Sequence, residues 1–118
     1  MARHHQTGKK GELLAVEFLK SLDFAVLELN WRYSHYEIDI IASRVDILHF
    51  IEVKTRNGNT FGFPEESVSN SKLSGMMKCA EEFQIQYPEW NRIQYDVLSI
   101  NISVNQRVEF FFIEDVYL

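Results

Sequence analysis

The chain has 118 residues, of which 46% are hydrophobic and 25% charged, with two prolines and one cysteine. That length carries one compact domain with a real core and excludes two ordinary ones, and the composition excludes a disordered chain. A formal net charge of −5 excludes the whole-surface basic field of simple nucleic-acid binders.

A single domain over residues 1–118 is therefore the expectation. The charge is unevenly spread: residues 1–78 hold ten Lys/Arg against ten Asp/Glu, whereas residues 79–118 hold two against seven. The acidity sits in the C-terminal third, and the balanced part stays open to phosphate binding. No apolar run approaches a membrane span, and the N-terminus lacks the apolar stretch of a signal peptide, so no membrane association and a cytoplasmic location are expected.

In chain order, Leu14, Ala15, Phe18, Leu19 and Leu22 recur at helical spacing, which predicts an amphipathic helix over 9–22 with Thr7 as its N-cap. Ala25, Leu27, Leu29 and Trp31 then alternate with polar or smaller residues, the period of a half-buried strand. Further strands follow at about 37–42 and 47–56, and the short segment between them fits only a hairpin turn. Residues 57–64 hold the glycines, asparagines and proline of a loop. A second helix is predicted over 71–86, with Leu73, Met76, Met77, Ala80 and Phe83 on one face and Gly75 weakening it. Cys79 lies within this pattern and has no partner for a disulfide or a thiolate zinc site. Two more strands, at about 93–102 and 107–113, complete an α/β arrangement in which a mixed sheet of about five strands packs against helices. Phe110-Phe111-Phe112-Ile113 is apolar on both faces, which predicts a strand buried on both sides and leaves self-association into a homodimer as the alternative.

The chemistry is concentrated in Glu37-Ile38-Asp39-Ile40-Ile41 and Ile51-Glu52-Val53-Lys54. Side chains two apart on a strand share a face, so Glu52 and Lys54 point the same way. A two-residue turn centred on Arg44 and Val45 would set Asp39 opposite Phe50 and diagonal to Glu52, with all three polar groups on one face. Two converging carboxylates and the Val53 carbonyl supply the hard oxygens preferred by Mg²⁺ or Mn²⁺, with open positions for water and phosphate. A lysine beside them can orient the attacking water and stabilise charge on the phosphorus. Arg56, Thr55 and Lys72 are candidate substrate contacts, with Lys72 balanced between a phosphate contact and plain solvation.

Asp39 followed by Glu52-Val53-Lys54 after an apolar strand resembles the PD-(D/E)XK nuclease superfamily, which includes restriction enzymes and Holliday-junction resolvases. A wider set of blocks resembles the YraN-like uncharacterised family: Gly8-x-x-Gly11-Glu12-x-x-Ala15, Asn30-Trp31-Arg32, Glu37 to Ile41, Phe50 to Arg56, Phe61-Gly62-x-Pro64, Val68-x-x-x-Lys72 and Tyr95-Asp96-Val97. The resemblance implies a restriction-endonuclease-like core and a magnesium-dependent endonuclease acting on DNA or RNA, including branched or damaged forms. It also implies that Glu12 joins Asp39, Glu52 and Lys54 at the metal site; the rival reading puts Glu12 in the first helical turn, favoured there by the helix dipole. The sequence departs from the family blocks at Tyr36, where a glycine is usual, at Gln94, where an arginine is usual, and at Gly75-Met76, where basic residues are usual. Two other functions compatible with the sequence are a nuclease-fold nucleic-acid-binding module without turnover and a protein-interaction domain.

Overall fold

The structure, a computed structural model, describes the backbone of residues 2–58 and 70–116 and the side chains of 8–58 and 71–116. Most of the expected 57–64 loop, and Phe61, Gly62, Pro64 and Val68 of the family blocks, lie outside the described residues, as do the side chains of His4 and His5. The elements run α1 (Ala2–Ser21), β1 (Ala25–Tyr33), β2 (Tyr36–Arg44), β3 (Ile47–Asn57), α2 (Asn70–Gln86), β4 (Ile93–Ile102) and β5 (Val108–Ile113). The strands form one sheet in the order β1-β2-β3-β4-β5, antiparallel throughout except for the parallel β3–β4 pair. This is the expected α/β architecture, a five-stranded mixed sheet with helices on it, consistent with a restriction-endonuclease-like core.

The sheet is covered on both faces. Against α1 pack Ile40, Ala42, Ile51, Leu98, Ile100 and Ile102, which meet Ala15, Leu19 and Phe24. On the other face Ile38, Ile41, Leu48 and Phe50 meet Leu73, Met76, Cys79, Ala80 and Phe83 of α2. Burying apolar surface on two sides is why the central strands are nearly continuous in Ile, Leu, Val and Phe. Among the described residues no helix is long and apolar enough to cross a membrane.

Five local expectations are corrected. First, α1 begins at Ala2, not Lys9, so Glu12 lies mid-helix and the first-turn explanation of it loses its premise. Second, the β2–β3 turn is centred on Val45 and Asp46, both left-handed (φ 52° and 62°), with Arg44 paired to Ile47. Positive φ at both central residues is the twist that hairpins favour, although valine is an unusual occupant. The shift moves the register by two residues and so keeps the facing parity of the two strands. Third, Ala25, Leu27 and Leu29 are exposed and Val26 is half-buried: a bulge between Val26 and Glu28 inverts the alternation before it, and the left-handed Asn30 (φ 52°) interrupts it again between Leu29 and Trp31. Fourth, β5 is an edge strand with one face in: Phe110 stacks on Phe18 at 4.5 Å, while Phe111 is exposed. Fifth, Met77 turns outward, exposed by 38%.

Candidate functional site

The site forms where β2 separates from β3. Paired residues run from Arg44–Ile47 to Ile40–Ile51, and one further step sets Asp39 across from Glu52. Alternation along β2 fails at this point, since Ile38 packs with Ile41 and Phe50 instead of with Ile40. Asp39 Oδ2 accepts a 2.7 Å hydrogen bond from the Val53 amide, so a side chain takes the place of a main-chain acceptor. N–H and C=O of one residue in a strand point to the same edge, so the Val53 carbonyl faces the same side.

The electrostatics are unusual for a structural cluster. Burial, and then the charge of Glu52 together with a hydrogen bond between the two carboxyl groups, raises the Asp39 pKa from 3.8 to about 7, against the lowering effect of the Val53 amide and Lys72. Glu52 is 5% exposed and accepts a 2.7 Å hydrogen bond from Lys72 Nζ on α2. Burial alone would lower the Lys72 pKa, but its contacts with Glu52 outweigh it and the net direction is upward. The Lys54 pKa is lowered, by burial first and then by the neighbouring Lys72 ammonium. Two carboxyls and two amines thus share one electrostatic network, buried at Glu52 and open to water at Lys72.

A cleft of about 270 Å³ opens onto this network, lined by His35, Tyr36 and Glu37 from the start of β2, by Asp39 and Glu52, and by Ser71, Lys72, Gly75 and Met76 of α2. The structure brings Asp39, Glu52 and Lys72 together in the cleft; Lys54 is not among the lining residues but stands near enough to feel Lys72, Glu52 and Asp39. Glu37 reaches the cleft but pairs with Arg32 at 3.7 Å. Glu12 is half-buried, accepts a 3.0 Å hydrogen bond from Asn30 Nδ2, and is not among the lining residues. Thr55 lies under α1, where a β-carbon on Gly11 would meet its Oγ1. Arg56 is half-buried two residues beyond Lys54, paired in the sheet with Asn101.

Two features escaped the sequence reading. A β-carbon on Gly75 would sit 2.8 Å from Tyr36 Cδ1, so the two departures at 36 and 75 are one exchange: the helix gives up a side chain where the strand gains a ring. Read together instead of separately, they carried that signal. The second feature is a buried pair at the other end of β3 and β4, His49 Nδ1 and Asp96 Oδ2 at 2.6 Å. Asp96 Oδ1 accepts from Gln94 Nε2 and from the Asp115 amide, both at 2.9 Å. Glu114 comes near, with Arg44 hydrogen-bonded to it at 3.2 Å. Each Asp96 oxygen is already engaged, which marks this cluster as a brace for the C-terminal segment.

The comparisons with known proteins agree with this picture in one respect. The model of the uncharacterised protein family UPF0102 matches residues 11–100. The chain belongs to the UPF0102 family. A UPF0102 protein of Dictyoglomus turgidum is 47% identical over 102 residues, covering 83% of this chain and 84% of that relative. UPF0102 proteins of Flavobacterium psychrophilum and Chloroherpeton thalassium are 39% and 36% identical, covering 85% and 93% of this chain and 84% and 92% of their own lengths. This is the YraN-like family that the sequence blocks resemble. The UPF0102 match takes in Asp39, Glu52, Lys54 and Lys72, and the family description assigns no activity.

The donor set fits a divalent cation. Asp39 and Glu52 offer carboxylate oxygens on one cleft wall, and Val53 a carbonyl beside them. Burial, and then the neighbouring Glu52 charge, disfavours ionised Asp39, and a bound cation would offset both. The Lys72 ammonium at Glu52 Oε1 already acts as a partial counter-charge.

Proposed function

We propose that this UPF0102 protein hydrolyses phosphodiester bonds in DNA or RNA, with Mg²⁺ or Mn²⁺ held by Asp39, Glu52 and the Val53 carbonyl. The observation that carries the reading is the meeting of Asp39 and Glu52 in one cleft, Asp39 held by the Val53 amide and Glu52 by Lys72, with Lys54 beside them. Fold economy alone gives no reason to bury two repelling acids side by side, whereas a cation-binding site does.

When bound, the cation would polarise the phosphoryl oxygen and lower the pKa of a bound water. The remaining work belongs to the chain. Lys54, its pKa lowered by burial and by Lys72, holds and orients the attacking water and can take its proton. Lys72 on the opposite wall exchanges Glu52 for a phosphate oxygen and offsets the charge that grows on phosphorus. The burial of Glu52 and Asp39 keeps bulk water from competing at these contacts. Arg56, further along β3, is a further candidate contact for the substrate strand.

A cleavage assay with Mg²⁺ or Mn²⁺ over single-stranded, duplex and branched DNA and RNA tests the reading. Cleavage is expected, with Lys54→Met lowering it by about a hundredfold or more while nucleic-acid affinity stays nearly intact. A Lys54→Met protein that cuts at the wild-type rate removes lysine from the mechanism. Salt-sensitive binding without cleavage in any metal overturns the enzymatic reading in favour of a binding module.

A further inference from the structure

The proposed reading leaves the aromatic turn beside the cleft unexplained. β1 passes to β2 through Ser34 and His35, with Tyr33 paired to Tyr36 and Ser34 left-handed at φ 59°. Packing accounts for Tyr36 only in part. Its ring fills the space opened by Gly75 and adjoins the α2 cluster, and its hydroxyl accepts a 3.2 Å hydrogen bond from Lys78 Nζ. His35, by contrast, is exposed, yet its ring lies 4.0 Å from the Tyr36 ring and is tilted only 36° from it. Ser34 Oγ contacts His35 Nδ1 at 3.3 Å and helps to fix that orientation. Both rings line the same cleft as Asp39 and Glu52. Lys78 Nζ stands 5.2 Å from the Tyr36 centroid, and Arg32 is exposed near the same turn.

An ordered pair of rings with flanking cations, next to a carboxylate site, has the chemistry of a base-stacking platform. Tyr36 precedes Asp39 by three residues of extended chain, on the order of 10 Å. A nucleotide next to a phosphate held at the carboxylates can therefore lay its base against this turn. Such stacking requires a free base face, and in continuous duplex both faces are covered by neighbouring pairs. A cleft of about 270 Å³ is on the scale of a single nucleotide.

We infer that His35 and Tyr36 form a stacking platform for an unpaired base adjacent to the scissile phosphate, and that the substrate is a strand with unpaired bases at the cut, not continuous duplex. The inference rests on the phosphodiesterase reading of the cleft and deepens it. His35 is the specificity element, because its ring closes the platform toward solvent. Tyr36 sets the height of that ring.

Fluorescence anisotropy with one labelled DNA oligonucleotide, single-stranded or in a blunt duplex, tests it with Ca²⁺ in place of Mg²⁺ to suppress cleavage. Wild-type protein is expected to hold the single strand more tightly. His35→Ala should weaken single-strand binding by about tenfold while changing duplex binding by no more than about twofold, and His35→Tyr should restore the preference. His35 is exposed, so these variants spare the core. Equal affinity for the two forms, or an equal loss on both in His35→Ala, overturns the platform alone. Mg²⁺-dependent cutting of blunt duplex as fast as single strand does the same. Absence of binding to either oligonucleotide, together with absence of cleavage, overturns both the platform and the phosphodiesterase reading.

Discussion

Two acids sit on the same sheet and differ in what surrounds them. Asp96, fully buried, has a partner for each oxygen: His49 on one, and Gln94 and the Asp115 amide on the other. Asp39 accepts one backbone amide and faces another carboxyl, and burial, followed by the charge of Glu52, raises its pKa to about 7. The first arrangement is what folding selects, since a buried polar group with all its hydrogen bonds made costs little. The second is a local conflict that the rest of the fold tolerates. Sites of chemistry are where such conflicts persist.

The sharpest way to break this contrast is at the brace. His49→Ala leaves the Asp96 carboxylate buried without its principal partner and should lower stability by about 3 kcal/mol in urea unfolding. In the folded variant, metal binding at the cleft should be unchanged. A loss well under 1 kcal/mol would mean that the His49–Asp96 pair does not brace the fold.

At the cleft the sign reverses. A carboxyl whose folded pKa is about 7, against 3.8 without the fold, binds its proton more tightly in the native state. Its favourable contribution is complete below about pH 4 and falls as pH rises through about 7. Asp39→Asn keeps an oxygen for the Val53 amide and abolishes the repulsion. The variant should gain on the order of 2 kcal/mol over wild type at pH 8, and that gain should vanish near pH 4, as read by thermal melts across the range. In wild type, Mg²⁺ affinity by calorimetry should climb with pH through about 7, because proton and cation compete for Asp39. A variant no more stable than wild type at pH 8 would show that the two acids are not in conflict.

The smallest effect concerns the wall of the cleft. Gly75→Ala gains helix propensity of about 1 kcal/mol but sets a β-carbon against the Tyr36 ring. In wild type the two should nearly cancel. With Tyr36→Ala in the background, Gly75→Ala should stabilise by about 1 kcal/mol, a coupling that a double-mutant cycle measures. Additive effects would mean that residues 36 and 75 are not a matched pair.

What was legible in the sequence follows from the range of the interactions. Asp39, Glu52 and Lys54 stood out because strand parity is local and their chemistry is recognisable by type and spacing. The helix and strand order was legible for the same reason. The turn at Val45 and Asp46 was mislocated because neither residue advertises a left-handed conformation as Asn-Gly would, yet the parity of the site survived because the slip was of two residues. The exposed face of β1 was misassigned because a bulge leaves no mark in the apolar pattern. His49–Asp96 could not be read at all. Its members meet only through the parallel register that sets His49 beside Gln94, and that register depends on the whole crossover between the two strands. Lys72 reaches Glu52 through the same crossover.

That crossover also orders events in time. β2 and β3 are joined by two turn residues, so the hairpin carrying Asp39 and Glu52 closes with little loss of chain entropy. β3 and β4 pair only after residues 58–92 have been gathered in, a non-local closure of the slow kind. The two acids are therefore neighbours in an early hairpin, before α2 brings the Lys72 ammonium to them and before the His49–Asp96 brace exists. In the bare hairpin both carboxyls lie in water, which screens their repulsion, so the conflict arises only as burial proceeds. The lysine arrives as a late neutraliser, so the contact that closes the cleft wall is also among the last to form.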